Sequence, residues 1–195
     1  MSFATVFVCT GNVCRSPAAA AMATTWTRPG AKIHYSSAGL SALVGEPIDP
    51  AVAAALREAG VTPDGHRARQ YAPWMALDSG LVLTATGEQS ARILRDVPQA
   101  LRRVFTIKEF ARLATQAGTL PADLPAAVAA VAAMRGRVTP VDPDADDIRD
   151  PYRRGPDVVA EVVAELSTAV RAALTALGIA SGPIAPRRRP LPYKR

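Results

Sequence analysis

A chain of 195 residues with a 49% hydrophobic fraction is the size of one domain and long enough to bury its own core. No apolar run approaches the roughly 20 residues that cross a bilayer, and the first residues carry no basic and apolar leader pattern, so a cytoplasmic protein without membrane insertion is expected. The net charge of +6 is concentrated in the last nine residues, with Arg187, Arg188, Arg189, Lys194 and Arg195; the body is close to neutral, and no nucleic acid partner is expected. Cys9 and Cys14 are too few for a disulfide scaffold, and His34 and His66 lack the spacing that would complete a zinc set with them.

Ala4–Val8 reads as a buried first strand, and Pro17 opens a helix that runs to about Trp26. Ile33–Ser37 is a second strand. Asp49-Pro50 caps a helix carrying Val52, Ala55, Leu56 and Ala59, with a stop at Gly60. Leu81–Thr84 is a third strand, followed by a helix over about Glu88–Leu94. Val104–Thr106 is a fourth strand, and Lys108–Ala114 is helical again. Strand and helix alternate four times, which predicts parallel strands covered on both faces, a doubly wound α/β domain. Residues 118–141 read as an Ala- and Pro-rich surface insertion with one helix at about Leu124–Ala133. An acidic loop follows, and then an amphipathic helix from Pro156 to Leu177. The domain is expected to span residues 1–178, with a disordered Pro- and Arg-rich tail over 179–195.

The chemistry concentrates where the first strand ends. Cys9-Thr10-Gly11-Asn12-Val13-Cys14-Arg15-Ser16-Pro17 is a Cys-x5-Arg loop entering a helix, and ligands of such sheets sit beyond the carboxyl ends of the strands. A helix N-terminus and a neighbouring guanidinium favour a thiolate, and the Ser16 hydroxyl is a candidate donor to the sulfur. Gly11 is expected to take backbone angles that side chains forbid, and Asn12 tolerates a left-handed conformation while its amide braces the loop. Arg15 offers a planar fork matched to two phosphate oxygens. Together these residues point to nucleophilic attack on phosphorus. Cys14 has two readings, a core residue or a thiol that captures an oxidised Cys9 as a disulfide.

Such a transfer needs an acid to protonate the leaving oxygen. Asp150 is the best candidate, because Pro151 stiffens its loop and Tyr152 can flank the substrate. Asp142-Pro143 is the same dipeptide without an aromatic after it, and is the weaker candidate. Asp147 is expected to orient the loop or to share a proton with Asp150.

With these residues in hand, the chain resembles the low-molecular-weight protein tyrosine phosphatase family. The Cys9 to Pro17 loop, Ser37-Ala38-Gly39, Gly45-Glu46-Pro47 with Asp49-Pro50, and Asp150-Pro151-Tyr152 carry the resemblance over most of residues 4–177. It implies a single doubly wound domain with a four-stranded parallel sheet, helices on both faces, and neither metal nor cofactor. It implies a phosphocysteine on Cys9, phosphoryl oxygens held by Arg15 and the loop amides of Thr10 through Cys14, and Asp150 acting first as acid and then as base. Asn12 and Ser16 match loop-bracing and thiolate-stabilising positions. Leu43 stands where the family often has an aromatic pocket wall, opposite Tyr152; Ala20 and Arg153 also depart from common residues. The implied substrate is a phosphotyrosine protein, with a tyrosine kinase as a further partner and a monomer or weak dimer as the working state. Two other readings stay open: arsenate reduction with an external small thiol, since no cysteine follows Cys14, and a phosphate-reading adaptor without catalysis.

Overall fold

A computed structural model of the chain describes residues 2–63, 65–138, 142 and 144–181. Four parallel strands, β1 (Phe3–Cys9), β2 (Ile33–Gly39), β3 (Leu81–Thr84) and β4 (Val104–Thr106), lie in the order β2-β1-β3-β4. Seven described helices connect or cover them: α1 (Arg15–Trp26), α2 (Pro50–Glu58), α3 (Pro73–Asp78), α4 (Gly87–Asp96), α5 (Ile107–Gln116), α6 (Leu124–Ala133) and α7 (Pro156–Ala176). The central position of β1 follows from its sequence. Residues Thr5 to Cys9 are all buried, as a strand covered on both faces requires.

Alternation divides its side chains between two cores. Val6 and Val8 pack with Val82, Val104, Met75 and Ile93, beneath α3 and α4. Phe7 faces the other way, into a larger cluster with Met22, Trp26, Leu83, Phe105, Phe110 and Leu166. Full burial of a side chain such as Leu166 contributes about 1.5–3 kcal/mol. From β1 the chain crosses first to β2 on one side and later to β3 on the other, so the order reverses at the β1/β3 boundary. The carboxyl ends of these strands form the ligand-binding crevice of such a sheet, and the Cys9 loop leaves β1 there.

The doubly wound α/β architecture is the one expected, and its boundaries are sharper. β2 extends through Gly39, and α1 starts at Arg15, two residues before Pro17. The short helix α3 was not anticipated; Trp74 is 55% exposed and Leu77 43%, so its sequence shows no apolar period, and Pro73 at its start is the only signal. Both α4 and α5 begin with a capping box, Thr86 with Gln89 and Thr106 with Glu109, which fixes their first turns.

The 118–141 segment, expected as a surface insertion, is rooted in the domain at a few residues. In α6, Ala127, Val128 and Val131 are buried, and the following Arg135 stacks 3.9 Å from the centroid of Phe105 while its guanidinium takes both Glu109 oxygens and the Val104 carbonyl. Through Arg135 the segment reaches the edge strand β4. Thr139, Pro140 and Val141 of it lie outside the described residues. At the other end of the domain, Ile179 is buried and its carbonyl accepts from Arg28 N, and Ala180 bridges to Thr27. The chain is thus held through Ser181, and residues 182–195, where most of the expected tail falls, lie outside the described residues.

Candidate active site

The turn after β1 is built with its carbonyls facing away from the sulfur. The carbonyls of Cys9, Thr10 and Gly11 accept from the amides of Leu40, Ser41 and Leu43, and that of Val13 accepts from Asp49 N. Among the described residues, the amides of Gly11, Asn12, Val13 and Cys14 donate to no protein acceptor. Successive amides left without protein acceptors form an anion-binding concavity.

Asn12 is the hub of this turn. It has φ +57° and is fully buried. Its Nδ2 donates to Ser16 Oγ at 2.9 Å and to Ser37 Oγ at 3.0 Å, while its Oδ1 accepts from Arg69 N at 2.9 Å. The Asn12 carbonyl accepts from His66 Nε2 at 2.8 Å, so that ring nitrogen carries the proton. Burial pushes His66 below its ordinary 6.5, with Arg67 and Arg69 adding to the effect against the opposing bond to Asn12. The left-handed residue is therefore Asn12, whereas Gly11 was expected to supply unusual angles; Gly11 has no positive φ and a Cβ there would meet only Val13 and Leu43 at 3.6 Å or more. The glycine that the turn does require is Gly39. A Cβ there would lie 2.5 Å from the Thr10 carbonyl and 3.0 Å from Asn12 Cβ.

Cys9 Sγ lies 3.0 Å from Ser16 Oγ and is buried. Arg15 is 4% exposed. Its Nη1 donates to the Ile148 carbonyl at 3.0 Å and its Nη2 pairs with Asp150 Oδ2 at 3.0 Å, while its Nε is buried with no partner among the described residues. Cys14, the other thiol, is pushed up to about 12 by burial first and then by Asp49, Asp150 and Cys9; it stays a thiol at neutral pH.

Cys9, Thr10, Gly11, Cys14 and Arg15 line a cleft of about 180 Å³ together with Val13, Ser41, Leu43, Asp150 and Tyr152, with Asn12 and Ser16 bonded behind the turn. Every candidate of the first rank is thus brought to one place: Cys9, Arg15 and Asp150, the loop residues Thr10, Gly11, Asn12, Val13, Cys14 and Ser16, and the walls Leu43 and Tyr152. Asp142 is not. It borders a separate cleft between α5 and α7 and its carboxylate accepts from Asp144 N; its neighbour Pro143 lies outside the described residues. Asp147 turns away from Asp150, and its Oδ1 accepts from Gly87 N at 2.7 Å at the start of α4. It ties the loop to α4 by that bond, and among the described residues no hydrogen bond joins it to Asp150.

The sequence profile described as Low molecular weight phosphotyrosine protein phosphatase matches residues 4–125. The chain belongs to this family. With it comes the reaction class, hydrolysis of phosphomonoesters. The probable low molecular weight protein-tyrosine-phosphatase EpsP of Ralstonia nicotianae is 34% identical over 52% of this chain and 68% of its own length. A protein-arginine-phosphatase of Geobacillus stearothermophilus is 34% identical over 56% of this chain and 72% of its own. The solved structure of the YwlE arginine phosphatase from Geobacillus stearothermophilus superposes with a TM-score of 0.68 at 26% identity, covering 90% of this chain and 93% of that one.

Several residues around the phosphatase loop escaped the sequence reading. Ser37, His66 and Arg69 hold Asn12, and Arg69 Nε also donates to the Ser37 carbonyl. Gln89 Nε2 reaches Thr10 Oγ1 at 3.1 Å from α4. Ser37 was visible as part of Ser37-Ala38-Gly39. The others act through backbone atoms or one hydroxyl, across 54 to 79 positions of chain, and leave no local pattern to read. Among the described helices, none is long and apolar enough to cross a membrane.

Proposed function

We propose that the chain hydrolyses phosphotyrosine in protein substrates through a phosphocysteine on Cys9. The observation that carries this reading is the turn itself: amides without protein acceptors and the unpartnered Nε of Arg15 surround one sulfur. Such a set complements the equatorial oxygens of a phosphoryl group as charge spreads over them in the transition state. Cys9 Sγ attacks phosphorus, the bond from phosphorus to the tyrosyl oxygen breaks, and Asp150 gives its proton to that oxygen. The Asp150 carboxylate then takes a proton from a water that attacks the phosphocysteine, releasing inorganic phosphate and the Cys9 thiolate. Binding of the dianion competes with Asp150 for the Arg15 fork.

The relatives include tyrosine and arginine phosphatases, and the cleft favours an aryl ester. Val13, Leu43 and Tyr152 give it apolar walls. A phosphoarginine guanidinium would bring several N–H donors into a cleft whose acceptor side chains are Thr10, Ser41 and Asp150, and each donor left unmatched costs about 1–3 kcal/mol. An initial-rate panel of phosphotyrosine peptides, phosphoserine peptides, phosphoarginine, and arsenate with a small thiol tests this. The expected result is the highest kcat/KM on phosphotyrosine. Faster phosphoarginine hydrolysis would overturn the substrate class, and preferential arsenate reduction would overturn the reaction.

A further inference from the structure

We propose that Arg112 and Asp146 form a clamp that positions Asp150 for proton transfer; the inference rests on the reading of Asp150 as the acid. Asp150 has little of its own to hold it. Its side chain is 48% exposed. Its partners are Arg15 and, at 3.4 Å, the amide of Tyr152 two residues on. When phosphoryl oxygens occupy the Arg15 fork, the pair with Asp150 is contested, and the placement of the carboxyl is then inherited from the loop that carries it.

That loop is fastened residue by residue. Ile148 N donates to the Ala85 carbonyl at 2.9 Å, which ties it to the end of β3. Asp147 receives Gly87 N, and its carbonyl accepts from Lys108 Nζ at 3.2 Å. Asp146 is held hardest. Arg112 on α5 grips it through two parallel bonds, Nε to Oδ1 at 3.1 Å and Nη2 to Oδ2 at 2.5 Å, and Thr106 Oγ1 donates to its carbonyl at 2.9 Å. The Asp146 side chain is 14% exposed and that of Arg112 25%, so this is not a freely solvated surface pair of the kind that contributes almost nothing. The bidentate contact fixes orientation as well as distance. The same guanidinium donates to the Val138 carbonyl at 3.3 Å, so the segment that follows α6 and the acid loop meet at one side chain.

Arg112 and Asp146 touch neither the cleft lining nor the Cys9 turn. Their loss therefore acts first on the loop that carries the proton donor, reaches Arg15 only through the Ile148 carbonyl and Asp150, and does not touch Cys9. The discriminating measurement is the dependence of log kcat/KM on the pKa of the leaving phenol, over aryl phosphates from dinitrophenyl to phenyl. Without a well-placed acid, good leaving groups still depart and poor ones do not, so the slope becomes steeper.

Arg112→Gln and Asp146→Asn are expected to lose about 5–50-fold on phenyl phosphate, within the ~10²-fold that a misplacement of about 1 Å produces, and far less on dinitrophenyl phosphate. Arg112→Lys keeps the charge without the fork and should fall between these variants and the parent. The double variant Arg112→Gln/Asp146→Asn should be no worse than either single one, as partners in one contact require. Melting temperature is measured on every variant. A lower melting temperature with an unchanged slope, or equal losses on all leaving groups, would make the pair merely structural and overturn the proposal. Asp150→Asn serves as the reference. If its slope is unchanged, the acid assignment fails and the clamp with it; if its slope steepens while those of the clamp variants do not, only the clamp fails.

Discussion

The two halves of the cleft are built in opposite ways. The Cys9 turn is short and contiguous, and its key side chains are buried: Cys9, Asn12 and Arg15 are 2%, 0% and 4% exposed, and neighbouring chain satisfies its carbonyls. The acid loop is open, with Asp150 half exposed, and it is held by residues 34 or more positions away, on α5, at the start of α4 and in Arg15 itself. The contrast matches the chemistry. Oxyanion stabilisation gains from donors that need no reorganisation at the moment of reaction. A group that donates a proton and later accepts one needs solvent access and controlled freedom instead.

The sharpest way to break this comparison is to remove the sulfur. Cys9→Ser should lower turnover by about 10⁴-fold or more while inorganic phosphate still binds, as read by calorimetry. Turnover within tenfold of the parent would mean that another group is the nucleophile. Next in size, Asp150→Asn should slow phenyl phosphate hydrolysis by about 10²–10⁴-fold, with Asp142→Ala close to the parent. The opposite ranking would move the acid to the separate cleft between α5 and α7.

The rigidity of the nucleophile half predicts a stability effect. Gly39→Ala should cost about 1–3 kcal/mol in urea unfolding, because its Cβ would collide with the Thr10 carbonyl. Gly11→Ala, with only ordinary contacts around the new methyl, should cost less. Equal costs would show that the turn yields more readily than its bonding implies.

The smallest expected effect is a pH slope. His66 is held below its ordinary 6.5 in the fold, so the unfolded chain binds its proton first as pH falls. Stability from this group is complete above about pH 6.5 and declines as pH drops toward the lowered folded value. Melting temperature should therefore fall between pH 7 and 5 by more in the parent than in His66→Gln. Parallel curves would remove His66 from the acid sensitivity of the turn.

The strand at 104–106 and α6 were legible to the residue, because apolar runs and caps are local signals. The Cys-x5-Arg turn was legible for the same reason: sulfur, arginine, serine and proline lie within nine consecutive residues. The proposed acid was legible only as an Asp-Pro dipeptide; Asp142 and Asp150 both offered one, and an aromatic follows only Asp150. The structure separates them, since the Ile148 to Ala85 bond carries Asp150 to the carboxyl end of β3 and beside Arg15.

The sequence by itself determined the alternation of elements, the position of the proposed nucleophile at a strand end and the residue types around it, because hydrophobic period, capping and turn chemistry act over a few residues. Tertiary structure alone decided which glycine the turn needs, what braces Asn12, which way Asp147 faces and how the acid loop is fastened. Those depend on hydrogen bonds and close approaches between segments far apart in the chain, and only the packed sheet and helices set such distances.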